Sequence, residues 1–317
     1  MLSAFIALAV VVALTYVGYP LAVLLFAWAT RDRAPTKPAA DGSLRVALVI
    51  PAHDEQAIIE AKLRNFLALD YPPDRLRAVV LSDGSTDETC SRVRALLASL
   101  PAADAARITL VDRTVRAGKS RMLSEEVPKL DVDVIVFTDA NAFYRPSAIR
   151  ALVAPFADPR VGLACGRLRY VPDDGFMSDE ELYWRYEDMI KEAESRAGRL
   201  LVANGSIYAL RAELFRPIPG GVADDFALPL LVASEGHRLV YASDAIAEER
   251  LPAQGIENFR AKARIVTRGA TALSIYWREV IRSGPVRAAQ YAIHKVARWL
   301  MGFVLAGLLL VSAAGAG

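Results

Sequence analysis

Only two cysteines and three histidines occur in this 317-residue chain. Cys90 and Cys165 lie far apart and match no metal or redox spacing, so they read as small buried hydrophobes in a reducing compartment. His53, His237 and His294 are scattered, which argues against a zinc centre. An excess of one charge is missing too. The formal net charge is +2, and no basic block interleaves with aromatics, so nucleic acid is not an expected partner. The polar loop Pro51-Ala52-His53-Asp54-Glu55 contains no glycine, and the upstream glycine of a Walker loop is absent before Gly118-Lys119-Ser120. Both gaps count against a glycine-rich phosphate cradle.

Charge is wholly absent from residues 1–30, in a chain that is 54% hydrophobic with mean hydropathy +0.25. Thirty residues are enough to cross a bilayer with some tilt. No basic start or small-residue cleavage site marks a signal peptide. Arg31, Arg33 and Lys37 follow directly, in a Pro/Ala/Gly-rich linker over 31–43. Residues 299–317 are again uncharged. Before them, 276–298 mixes Trp, Tyr, Ile and Val with Arg278, Arg282, Arg287, Lys295 and Arg298, as amphipathic helices in a bilayer interface do. Gly284-Pro285 breaks that stretch in two. Both basic flanks face the domain between the spans, so the positive-inside rule expects a multi-pass protein of the inner (cell) membrane with that domain in the cytosol. The chain stops inside or just after the second span, as a fragment of a longer protein would.

Between the spans, strand, loop and helix alternate. Strands are expected at 44–50, 77–81, 108–111, 134–137 and 161–168, with a short one at 239–241. Helices are expected at 57–69, about 88–100, 179–198 and 224–235, 258–273 is a basic stretch, and 201–210 reads as a broken strand or a loop near a ligand. The pattern predicts an α/β, Rossmann-like fold with a mostly parallel central sheet over 44–273, divided into a half at 44–141 and a half at 142–273.

Acidic residues stand where strands stop. Val134-Ile135-Val136-Phe137 ends in Thr138-Asp139-Ala140-Asn141, and the strand before Asp83 ends in Ser82-Asp83-Gly84. Ligands of open α/β sheets bind at such carboxyl ends, and a carboxylate there can hold a hard divalent cation and, through it, a diphosphate. Asp139 could equally cap a helix, as could Asp224-Asp225 before Phe226. Lys119, after Gly118 at a helix start, suits a phosphate but is also an ordinary surface lysine. Trp184 could stack on a sugar or lie in the core.

The ordered set resembles family-2 glycosyltransferases of the GT-A fold, over about Val46 to Arg268. Val46 to Glu55 is similar to the family's opening strand and Pro-x-x-Asn-Glu loop, with Asp54 replacing Asn. Ser82-Asp83-Gly84-Ser85-Thr86-Asp87 is similar to its Asp-Asp-Gly-Ser-x-Asp. Gly118-Lys119, Asp139-Ala140-Asn141 and Asp224-Asp225 match its Gly-Lys, Asp-x-Asp and Glu-Asp motifs. The resemblance implies an inverting, metal-dependent transferase with a nucleotide-diphosphate sugar donor, a UDP-sugar foremost. It implies Asp225 as catalytic base with Asp224 beside it, and Pro51, Glu55, Asp83, Lys119, Asp139 and Arg264 around the donor. Asp139 and Asn141 would hold Mg²⁺ or Mn²⁺, and Trp184 would meet a lipid-linked or glycan acceptor at the membrane, in cell-surface or exopolysaccharide synthesis. The Gln-x-x-Arg-Trp motif of polymer synthases has only Arg264 left, in Ala261-Lys262-Ala263-Arg264-Ile265, so a processive synthase is the second reading.

Three other classes compete. A nucleotidyltransferase wants glycine directly after the first strand. A haloacid-dehalogenase-like phosphatase wants an Asp where Leu81 stands. A non-catalytic membrane scaffold with this fold would have no need of Asp83, Asp139 and Asp225 together.

Overall fold

The computed structural model describes residues 1–30, 42–171, 179–250 and 256–315. It contains eight strands: β1 (Val46–Ala52), β2 (Leu76–Asp83), β3 (Ile108–Arg113), β4 (Val134–Phe137), β5 (Phe143–Tyr144), β6 (Val161–Val171), β7 (Tyr208–Arg211) and β8 (Arg238–Arg250). Helices α1 (Leu2–Ala13) and α2 (Tyr19–Ala29) precede them. Next come α3 (Ile59–Leu67), α4 (Thr89–Ser99), α5 (Ala102–Ala105), α6 (Lys119–Glu126), α7 (Ala148–Val153), α8 (Asp179–Arg196) and α9 (Asp224–Ser234), set between the strands. After β8 come α10 (Ile256–Ile275), α11 (Trp277–Arg282), α12 (Pro285–Gln290), α13 (Ala297–Trp299) and α14 (Met301–Gly315).

The strands form one sheet in the order β3-β2-β1-β4-β7-β6-β8-β5. The half from β3 to β4 is parallel, with Ala52 opposite Ser82 and Phe137 opposite Val49. That register brings the carboxyl ends of β1, β2 and β4 to one edge. These central strands are apolar on both faces because helices cover both. Val46, Leu48 and Ile50 point to one side with Ile59, Leu63 and Phe66, whereas Ala47 and Val49 point to the other with Met122, Leu123 and Phe226. The sheet turns mixed beyond β4: β7 runs antiparallel to β4 and to β6, and β5 antiparallel to β8.

One strand is much longer than expected. The strand expected at 239–241 runs on to Arg250. Its second part alternates buried Ala245, Ala247 and Glu249 with more exposed neighbours, and alanine's low strand propensity hid that alternation. The 201–210 stretch agrees with its expectation: it is loop through Ile207, and strand begins at Tyr208 and runs to Arg211. Gly166 shows why β6 needs glycine at its bulge against β8: a Cβ there would lie 2.8 Å from the Ala245 carbonyl and 2.7 Å from Ile207.

Among the described residues, one helix is long and apolar enough to cross a membrane, Leu2–Ala29, with a π-helical turn at Leu14–Gly18. The expected second span is interrupted. Helix α14 has 15 residues, about 22 Å at 1.5 Å per residue, and qualifies only together with Pro285–Trp299, from which it is bent by 61°. The expected linker at 31–43, with its basic residues, lies outside the described residues apart from Gly42 and Ser43.

Candidate active site

Asp83 and Asp139 stand where strands of the parallel half give out. Asp83 ends β2 and is buried. Its Oδ1 accepts the Ala117 N–H at 2.6 Å and its Oδ2 the Gly118 N–H at 2.7 Å. The carboxylate thereby fixes the turn from which α6 starts, and Gly118 makes that turn at φ 91°. Gly84 runs so close beneath it that a Cβ would sit 2.6 Å from the Arg116 nitrogen. The loop after β1 is tied to the same edge. Asp54 is the non-glycine residue with positive φ, 56°, among the described residues, a conformation that Asp and Asn tolerate best. Its carboxylate accepts the Thr86 N–H at 2.7 Å, which holds its pKa below the usual range.

Lys119, the first residue of α6, reaches the centre. Its Nζ lies 3.0 Å from Asp139 Oδ1 and 3.4 Å from Asp224 Oδ1. Burial alone would lower its pKa, but the charges of Asp139, Asp224 and Asp225 outweigh that and raise it. Asp139 keeps 43% of its side chain exposed, and its Oδ2 accepts from Ser206 Oγ at 3.4 Å. Asp224 is buried at the start of α9 and accepts the Tyr208 hydroxyl at 2.7 Å. Asp225 differs: among the described residues its carboxylate has no hydrogen-bond donor. Gly205 lies against it, where a Cβ would come within 3.2 Å of Oδ2. Burial first, then the neighbouring Asp224 charge, push its carboxyl up to about 6. An unpartnered carboxylate of raised basicity is the side chain a proton transfer needs.

Two charged residues behind this centre carry no motif and went unrecognised. Lys62 of α3 is almost wholly buried, and burial pushes its ammonium down to about 7. It donates to Thr138 Oγ1 at 2.8 Å and to the Ala142 carbonyl, and so staples both flanks of the Asp139–Asn141 loop. Glu249 of β8 is buried, its carboxyl pushed up to about 7 chiefly by burial. A lysine at a core-facing helix position, inside the apolar pattern of Ile59, Leu63 and Phe66, was the one available signal.

The other expected residues sit further out. Pro51 lies within β1 opposite Leu81. Glu55 is half-buried, and burial and the Asp139 charge raise its carboxyl. Asn141 is exposed just past Asp139. Arg264 is exposed on α10 and makes no ion pair among the described residues. Trp184 is packed edge-on against Tyr170 and Tyr183, and Lys191 Nζ stands 5.4 Å from its ring centroid.

Among the described residues, no group of three or more His, Cys, Asp or Glu could hold a metal alone. Mg²⁺ and Mn²⁺ bound beside a diphosphate do not need one, because phosphate oxygens and water complete the shell. The exposed carboxylate of Asp139, two residues before the exposed Asn141, fits that role.

A GT-A sheet with Asp83, Lys119, Asp139 and the Asp224-Asp225 pair at one edge defines a glycosyltransferase. Residues 44–302 match the family described as glycosyltransferase like family 2, and the chain belongs to that family. It is similar to the mannosyltransferase PcManGT from Pyrobaculum calidifontis, solved with GDP-Man and Mn²⁺: 27% identity, 99% of this chain and 87% of that one covered, TM-score 0.75. It is 25% identical to the hyaluronan synthase of Streptococcus pyogenes over 288 residues, 85% of this chain and 67% of that protein. A probable glycosyltransferase of Bacillus subtilis, YdaM, is 24% identical over 219 residues, 66% of this chain and 51% of that one. Staphylococcus aureus TarS shares the fold, with TM-score 0.56 at 12% identity over 79% of this chain and 70% of the solved fragment.

Proposed function

We propose that this chain is an inverting glycosyltransferase that moves one sugar from a nucleotide-diphosphate sugar to the hydroxyl of a lipid-linked or glycan acceptor. The observation that carries this reading is the position of Lys119, held between Asp139 and Asp224. One cation there meets both the carboxylate suited to the metal and the pair suited to the proton transfer.

The chemistry follows from the residues. Asp225 takes the proton of the acceptor hydroxyl. The acceptor oxygen bonds to the anomeric carbon on the face opposite the leaving group, and the bond from that carbon to the β-phosphate oxygen breaks. Lys119 then faces the charge that develops on the departing nucleoside diphosphate. A divalent ion, when bound at Asp139 and Asn141, supplies further charge neutralisation to the diphosphate. Asp224 is kept ready by Tyr208 and Lys119, and Asp83 by fixing the Gly118 turn. Glu55, with Asp83 and Pro51, borders the space where the nucleoside would lie.

The exposed apolar side chains of the terminal helices, among them Leu2, Leu25, Trp28, Phe303, Leu309 and Leu310, support a bilayer as their surroundings. We place the active site at the cytosolic face of the cell membrane, in synthesis of a cell-surface glycan. The test is a panel of nucleotide-sugars with Mn²⁺, scored by release of nucleoside diphosphate and by the anomeric configuration of the product. A product that retains the donor's configuration would overturn the inverting mechanism.

A further inference from the structure

The two residues suited to the divalent ion, Asp139 and Asn141, sit on a tight turn. The Ala142 N–H donates to the Asp139 carbonyl at 3.2 Å and closes it. Ala140 and Ala142 are buried, Asn141 is exposed, and Asp139 keeps 43% of its side chain exposed. The alanines thus anchor the turn and leave both ligand candidates open to solvent.

One helix grips this turn. Lys62 of α3 donates to Thr138 Oγ1 at 2.8 Å, just before the turn, and to the Ala142 carbonyl at its end. Its ammonium also stands 4.6 Å from the centroid of the Tyr144 ring. Asn65, almost one helical turn further on, takes the next stretch of chain. Its Nδ2 donates to the Tyr144 carbonyl and its Oδ1 accepts the Tyr144 N–H, both at 2.8 Å. The Tyr144 hydroxyl donates to the Ser206 carbonyl at 3.0 Å, and Ser206 Oγ lies 3.4 Å from Asp139 Oδ2. The contacts therefore run from α3 around the turn and back to the Asp139 carboxylate.

A lysine at this position needs a reason. Lys62 is 1% exposed and lies within the apolar pattern of Ile59, Leu63 and Phe66. Leucine or methionine would fill that space without burying a charge. Among the described residues Lys62 has no carboxylate within ion-pair distance; its partners are two neutral oxygens and a ring. What it offers beyond an apolar residue is a set of N–H donors at one point, one for each end of the turn. An outer residue of this kind sets the orientation of the groups that meet a metal.

We propose that Lys62 is a positioning residue for the divalent ion: it holds the 139–142 turn in its ligand-bearing shape before ion or nucleotide arrives, with Asn65 as a second arm. The proposal rests on the glycosyl-transfer reading for the role of the ion, whereas the clasp itself is tested without metal. The full chain in neutral detergent is measured in two ways. Hydrogen exchange in EDTA reads the empty turn. The Ala142 and Tyr144 amides should be protected in the unmodified chain, and Lys62→Met should speed their exchange roughly 10-fold while the Val49 and Val80 amides of β1 and β2 exchange as before. Electron paramagnetic resonance then reads Mn²⁺ binding in the presence of UDP or GDP. Lys62→Met should weaken it about 10-fold, as loss of an outer orienting residue does. Lys62→Arg, which keeps the donors, should retain part of the affinity. A residue that only fills the core would lower Tm and leave both readings where they were. Thr138→Val removes one arm at constant volume and should move both readings in the same direction by less; it decides alone if Lys62→Met does not fold. Unprotected Ala142 and Tyr144 amides in the unmodified chain, or Mn²⁺ affinity undiminished in the variants, would overturn the proposal. Failure of the unmodified chain to bind Mn²⁺ with either nucleotide would overturn the glycosyl-transfer reading instead, and the exchange result would still decide whether Lys62 holds the turn.

Discussion

Asp83 and Gly118 are joined across 2.7 Å, carboxylate oxygen to backbone N–H, with Ala117 on the second oxygen. This clamp fixes the first turn of α6 and with it Lys119. Asp83→Asn would turn an amide NH₂ toward one of those N–H groups. The loss of a charge-assisted hydrogen bond at a buried site costs about 1.5–3 kcal/mol. We expect donor KM to rise about 10-fold and Tm to fall. Unchanged values of both would show that the turn holds without the clamp.

Asp139 offers one of its oxygens to Lys119, and its side chain remains 43% exposed. A single exposed carboxylate cannot neutralise a diphosphate by itself. EDTA should abolish turnover, excess Mn²⁺ should restore it, and Asp139→Ala should match the EDTA-treated enzyme at every Mn²⁺ concentration. Full activity in EDTA would remove the metal from the mechanism.

Asp225 supplies a pH signature. Burial and Asp224 raise its carboxyl to about 6. The base is ionised above that value and protonated below it, so kcat should fall on an acid limb as pH drops through about 6. Asp225→Asn should lose roughly 10²-fold or more in kcat with donor affinity kept. The same shift bears on stability. A carboxyl that ionises near 3.8 when unfolded and near 6 when folded makes folding less favourable above that window and neutral in effect below it. Asp225→Asn should therefore raise Tm at pH 8 and leave it nearly unchanged at pH 3.5. A drop in donor affinity with kcat preserved would make Asp225 a binding residue instead.

The parallel half was legible because its signals are local. Four apolar residues before Thr138-Asp139 and the apolar run Ala78-Val79-Val80-Leu81 before Ser82-Asp83 state both a buried strand and its end. In the far half the length of β8 was not, because that strand is carried by alanines whose burial comes from β6 and β5 rather than from their own propensity. The same holds within the site. Asp83, Lys119, Asp139 and Asp224 stand in motifs, whereas Lys62 and Glu249 take their meaning from chain segments some 80 or more residues away. Arg264 is the opposite case: a single motif letter carries its assignment to the donor, and the residue lies exposed on α10.

The last prediction concerns product length. The terminal apolar helices lie side by side, so closely that a Cβ on Gly307 would come within 3.2 Å of Leu8 Cδ1. No water-filled path fits between them there, and a sugar chain crossing hydrocarbon needs protein on all sides. The position where polymer synthases carry an aromatic is Ile265, which is exposed here. The half-buried Trp299 packs instead against Phe226, next to Asp225. This chain should therefore add one or a few sugars and export none. Reconstituted alone into sealed liposomes, with labelled donor on the side of the catalytic domain, it should yield short, lipid-extractable product. Long polymer recovered from the lumen would sink the prediction, because it would require a channel that these helices do not form.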